Sequence, residues 1–117
     1  MASDFSMVHS TTRVRVTALA SSPTPTPNAG TDDLYVVTAL TEAATFGAPA
    51  GTPVQGQKLL IRIKDNATPH VLGWNAIYRA IGCTLPLVTV ASKTHYIGAV
   101  YNATDTKWDV LEVAVEA

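Results

Sequence analysis

The sequence predicts an all-β fold: a small antiparallel β-sandwich or jelly-roll-like module with an extended N-terminal arm. Two patterns and the chain's size carry this expectation. Apolar and polar residues alternate with period two in three separate runs, over residues 57–64, 94–101 and 107–115. Turn-forming residues cut those runs at strand length, as Asp65-Asn66-Ala67-Thr68-Pro69 and Asn102-Ala103-Thr104-Asp105-Thr106 do. A chain of 117 residues supports one domain with one modest core.

Taken in order, residues 1–20 form the arm. In it Thr12-Arg13-Val14-Arg15-Val16-Thr17 alternates as a strand, with Val14 and Val16 on one face and Arg13 and Arg15 on the other. Residues 21–31 form a spacer. Its prolines at 23, 25 and 27 cannot donate to a sheet ladder and favour an extended, polyproline-like course. Fully extended, it spans roughly 25–30 Å and lets the arm reach away from the rest. Residues 32–117 form the body. Its first strand is residues 34–40, and a short second strand lies near residues 44–46. Residues 47–53 read as a loop by their Gly and Pro content.

The clearest strand follows, with Leu59, Ile61 and Ile63 on one face and Lys58, Leu60, Arg62 and Lys64 on the other. Residues 70–74 return the chain. Residues 75–81 read either as one helical turn or as an irregular strand, and residues 82–90 mostly as loop. The final hairpin pairs residues 94–101 with 107–115. On its last strand Trp108, Val110 and Ala114 share one face, while Leu111, Val113 and Val115 share the other. Two apolar faces imply cover on both sides, one by a second sheet and one by a neighbouring subunit. Leu111, Val113 and Val115 are therefore the expected trimer interface. Leu59, Ile61, Ile63, Tyr96, Val100, Trp108 and Val110 are the expected core.

Composition narrows the function. Formal net charge is -1, so no broad basic face offers itself to nucleic acid. Charged residues make up 15%, against about 25% in an average soluble domain, which suits a chain packed against copies of itself or a partner. Residues 1–10 contain Asp4 and lack a basic start followed by an apolar run, so no secretory signal is expected and synthesis is in a cytoplasm. The apolar stretches are strand-length, too short to cross a membrane.

Cys83 stands alone and reads as a small buried apolar residue. His9, His70 and His95 show no metal-ligand spacing and read as surface or rim histidines. His95 is the best candidate should a trimer axis gather three copies around an ion. The acids are scattered: Asp32-Asp33 reads as a turn or strand-edge pair, and Asp105 as turn chemistry. No nucleophile, base and acid can be named together, so neither catalysis nor a cofactor is expected. Asn66-Ala67-Thr68 and Asn102-Ala103-Thr104 match a glycosylation acceptor but fall in turns, where Asn and Thr belong anyway. Trp74, Tyr78, Tyr96, Tyr101 and Trp108 read first as core, and secondly as a stacking platform for sugars or a partner.

A family resemblance rests on an ordered string of motifs. It begins with Gly51-Thr52-Pro53-Val54-Gln55-Gly56-Gln57-Lys58-Leu59-Leu60-Ile61-Arg62-Ile63-Lys64-Asp65-Asn66 and continues with Trp74-Asn75-Ala76-Ile77-Tyr78-Arg79. Lys93-Thr94-His95-Tyr96-Ile97-Gly98-Ala99-Val100-Tyr101-Asn102 and Lys107-Trp108-Asp109 complete it. Over about residues 33–116 the chain resembles a small β module of tailed-bacteriophage structural proteins. That module occurs as a stand-alone virion protein and at the end of tail-fibre chains. The chain departs from the pattern at Ala67, where a glycine usually follows Asp-Asn, and at nearby Pro69. The resemblance implies a virion, self-association as trimers and no catalysis.

Two functions follow as expectations. In the first, a capsid decoration or head-fibre protein trimerises on the outer shell. Its arm then docks on the major capsid protein, another virion protein or a neighbouring copy by β-augmentation, through Phe5, Val8, Arg13, Val14, Arg15 and Val16. In the second, a tail-fibre or tail-tip module binds host surface glycans through Trp74, Tyr78 or Tyr101.

Overall fold

The computed structural model of the chain describes residues 13–117. They form an all-β fold of eight strands: β1 (Val16–Leu19), β2 (Leu34–Leu40), β3 (Ala44–Phe46), β4 (Lys58–Asp65), β5 (Leu72–Trp74), β6 (Tyr78–Ala80), β7 (Thr94–Asn102) and β8 (Lys107–Val115). Six make one sheet in the order β1-β2-β4-β7-β8-β6, and β3 and β5 pair separately. The pairing is mixed rather than antiparallel throughout. β4–β7 and β7–β8 are antiparallel, while β1–β2, β2–β4, β6–β8 and β3–β5 are parallel. Parallel neighbours cannot be joined by a hairpin and need a crossover of a dozen or more residues. Residues 20–33 and 41–57 are such crossovers, and they supply much of the layer that covers the sheet.

This overturns the division into arm, spacer and body over residues 13–31. β1 is the edge strand of the main sheet, with Val16 beside Leu34 and Leu19 beside Val37. The proline run lies flat along the molecule. The carbonyls of Pro23, Pro25 and Pro27 accept from the backbone N–H groups of Thr45 (2.9 Å), Gly47 (3.0 Å) and Ala50 (2.8 Å). Residues at alternate positions of an extended chain point their backbone groups the same way. Prolines at every second position therefore leave an edge that accepts but does not donate. The Thr26 N–H donates to the Tyr35 hydroxyl (3.1 Å), and the Thr24 N–H to Ser22 Oγ (3.1 Å). Pro25, Pro27 and Ala29 are buried. The approach is close enough that a Cβ added at Gly47 would lie 2.7 Å from Thr26 Oγ1.

The core lies between the inner face of the six-stranded sheet and this second layer. Tyr35 and Val37, then Leu59, Ile61 and Ile63, then Ile97 and Ala99, then Trp108 and Val110 line the inner face, all buried. Phe46 and Leu72 close it from the other side. Phe46 stacks on Trp74 with centroids 4.6 Å apart, and Trp74 meets Tyr78 edge-on at 5.4 Å. Two expected core residues are misplaced. Register pairs Ile61 with Ile97 and Leu59 with Ala99, so β7 turns its odd-numbered residues inward. Tyr96 and Val100 therefore lie on the outer face.

The last strand contains the decisive irregularity. Ala99 pairs with Val110 but Gly98 pairs with Glu112, leaving Leu111 as the extra residue of a β-bulge. The bulge resets the alternation. Val113 then pairs with buried Ile97 and packs against the core, and Val115 lies opposite His95 on that same side. Leu111, Val113 and Val115 thus do not share a face. Ala114 joins Tyr96 outside and not Trp108 and Val110 inside.

Candidate functional site

The outer face of the six-stranded sheet has no second layer among the described residues. Two rows of side chains cross it. One runs Val16, Leu34, Leu60, Gly98 and Glu112; the other runs Ala18, Val36, Arg62, Tyr96 and Ala114. Leu111 stands up from the bulge at 56% exposure, Val16 at 55%, Val14 at 68% and Leu60 at 38%. Between Leu60 and Leu111 the sheet dips at Gly98, which has no side chain to fill the space. A Cβ added there would still be 3.9 Å from both Leu60 Cδ1 and Glu112 Cβ. The result is a mainly apolar groove of about 670 Å³, with Val14 at one wall and Arg13, Lys58 and Glu112 among its lining. Farther along the same face the Arg62 guanidinium lies 6.0 Å from the Tyr96 ring centroid and donates to its hydroxyl (3.3 Å).

The residues expected to form the arm's docking surface divide three ways. Phe5 and Val8 lie outside the described residues. Arg13, Val14 and Val16 are exposed, and the first two line the groove. Arg15 is not available to an outside carboxylate. Its guanidinium binds Asp33 (Nη2 to Oδ1 2.8 Å, Nε to Oδ2 3.2 Å) and donates to the Gly30 carbonyl (2.7 Å). Its backbone N–H also donates to Asp33 (2.8 Å). Hydrogen bonding by Arg15 holds the Asp33 carboxyl below the usual carboxylate range.

The aromatic glycan platform does not form. Tyr78 is 4% exposed and donates its hydroxyl proton to the Gly47 carbonyl (2.9 Å). Burial pushes that phenol's pKa up. Trp74 spends one face on Phe46 and its indole N–H on the Pro86 carbonyl (2.7 Å). Tyr101 packs against Trp108 with centroids 5.1 Å apart. Trp74 and Tyr101 keep partial exposure, but no aromatic row faces outward from these three positions.

Sequence reasoning missed a buried polar network at one end of the sheet. Asp65, 1% exposed at the end of β4, accepts from the Thr89 hydroxyl (2.5 Å) and from the Ser92 N–H (3.1 Å). Ser92 has a φ of 62°, a left-handed conformation that this carboxylate holds in place. His95 is fully buried, against the rim position expected for it. Its Nε2 accepts from the Val90 N–H (2.9 Å), and Nδ1 faces the Ile63 carbonyl (3.4 Å). No position on an axis is open to it. Asp32, also buried, accepts from the Asn28 N–H (2.7 Å) and from the Thr17 and Thr31 hydroxyls, tying β1 to the turn before β2. Asp105 and Asp109 both bind Arg79, which lowers the Asp109 pKa. Among the described residues no group of three or more His, Cys, Asp or Glu could hold a metal ion. One signal for the groove was present in the sequence: a glycine inside a strand pattern marks a bulge or a close approach, and Gly98 marks both bulge and groove.

Compared with known proteins, the chain matches no family model, no curated protein and no solved structure.

Proposed function

We propose that this chain is a structural protein of a tailed-bacteriophage virion, a capsid decoration protein that trimerises on the outer shell and stabilises it. The observation that carries the reading is the apolar face of the main sheet that no other described residues cover. A face with Leu60, Leu111, Val14 and Val16 exposed around a groove is an interaction surface by its chemistry. The low charge content of the chain and the motif string over about residues 33–116 support the same reading. The mechanism is mechanical rather than catalytic. A trimer that bridges capsomers buries additional area between them, and the shell then resists the pressure of packed DNA.

The rival reading, a glycan-binding tail module, loses its main support once Tyr78 and one face of Trp74 are committed to the core. Copy number tests the proposal. Quantitative gel densitometry of purified particles should give a number of chains comparable with the number of capsomers. A handful per particle would instead place the chain on the tail and overturn the decoration role.

A further inference from the structure

We infer that the groove over Gly98 is where one copy of this chain receives the next, so that the outer sheet faces close the trimer around its axis. The inference deepens the proposed function by naming the self-association surface. It moves that surface from the strand face expected from the sequence to one defined by the bulge.

Three features of the face select a second copy as its occupant. The first is shape. The same face carries a hole at Gly98 and, beside it, a protruding Leu111. Side by side, they let Leu111 of one copy enter the Gly98 hole of the next, a heterologous contact that can repeat around a ring.

The second is charge. Among the described residues, Arg13, Lys58 and Glu112 form no ion pair, nor does Arg62 farther along the same face. Lys58 is on β4 and Arg13 precedes the β1 edge; Glu112 is on β8, on the other side of the groove. A partner of one sign would satisfy only part of this set. A second copy offers both signs, and a polarity across the width of the face suits head-to-tail contacts that close a ring.

The third is area. β2, β4, β7 and β8 lie side by side over seven to nine residues each. At about 4.8 Å between strands and about 3.3 Å per residue, they present on the order of 500 Å² in outline. In a trimer each face is shared between two neighbours, and the three faces together withdraw on the order of 1,500 Å² from water, comparable with one standard specific interface.

The test uses the full chain in sedimentation equilibrium, with circular dichroism and thermal melting as controls for folding. Wild type should sediment as a trimer at micromolar concentration. Gly98→Leu fills the hole, and its β-carbon meets Leu60 Cδ1 and Glu112 Cβ only at an ordinary van der Waals distance of 3.9 Å, so this variant should sediment as a folded monomer. Leu111→Asp should do the same. Lys58→Glu should weaken association on the order of tenfold, and adding Glu112→Lys in the same chain should restore it. A monomeric wild type overturns the inference, as does a folded Gly98→Leu or Leu111→Asp variant that still forms trimers. If either groove variant fails to fold, the surface charge pair decides, and absence of rescue in the double variant overturns the inference. Should association pass these tests while the trimer fails to bind virions, the decoration reading falls and the interface stands.

Discussion

Ile61 shows what a single apolar side chain contributes. It is fully buried, with Tyr35 beside it on β2 and Ile97 on β7. Ile61→Ala removes methylenes from a site flanked on both sides, where collapse is difficult. We expect a loss of about 2–5 kcal/mol, read as a lower urea midpoint with an unchanged slope. Asp65 makes the polar counterpart. Its carboxylate answers the Thr89 hydroxyl and the Ser92 N–H in a place closed to solvent. Asp65→Ala leaves both donors without that acceptor, at about 1–3 kcal/mol for a buried group left unsatisfied. Faster hydrogen exchange at the Ser92 amide should accompany the lower urea midpoint. Exchange unchanged from wild type would show that Ser92 is held by its loop and not by Asp65.

β1 decides whether the sheet has a safe edge. It covers one side of β2, whose Tyr35, Val36 and Val37 are buried. Deleting residues 1–20 removes β1 together with the Arg15–Asp33 pair. The N–H and C=O groups of β2 then face outward along an apolar strand, which is a template for pairing with other chains. The truncated protein should melt at lower temperature and scatter light on standing at concentrations where the full chain stays clear. A truncated chain as stable as the full one would mean that β1 adds nothing to the fold. The proline run needs no such cover, because the Thr24 and Thr26 N–H groups on its other edge already donate to Ser22 Oγ and the Tyr35 hydroxyl.

The molecule as a whole should lose stability in acid. Asp33, Asp109 and Glu116 all have carboxyls held below their ordinary range, by hydrogen bonds from Arg15, Arg79 and the Thr94 N–H respectively. A carboxyl with a lowered pKa in the folded chain takes up its proton more readily once unfolded. Its stabilisation is complete above about pH 4, the unfolded value, and disappears as pH falls through the folded value. Urea midpoints measured from about pH 7 to about pH 2 should therefore stay level and then drop. Asp109→Asn should make that drop shallower, since one of the three linked groups no longer titrates. An unchanged acid limb in this variant would assign the pH dependence to other carboxyls. All three pairs are at the surface, so added salt should reduce the effect.

Much of the all-β fold was legible in the chain. The strand-length apolar run at residues 34–40 and the alternation in residues 57–64 and 94–101 located β2, β4 and β7 to within a residue, and the split of Leu59, Ile61 and Ile63 from Leu60 and Arg62 held. Local sterics and side-chain burial set such a pattern, so it can be read locally. The parallel pairings could not be read, because they depend on which strands meet after crossovers, and that is settled by burial against the second layer. For the same reason the proline run looked like a spacer: its composition says extended, but only packing against β3 says where it lies. The candidate site was hidden by one residue. Leu111 continues the alternation in the sequence, yet in the sheet it is extra. Its bulge turns Val113 inward and leaves Leu111 standing beside the Gly98 groove. A strand's period is a property of its own backbone, whereas a bulge is a property of two strands in register. Pairing with β7 therefore decided which face of β8 is the surface.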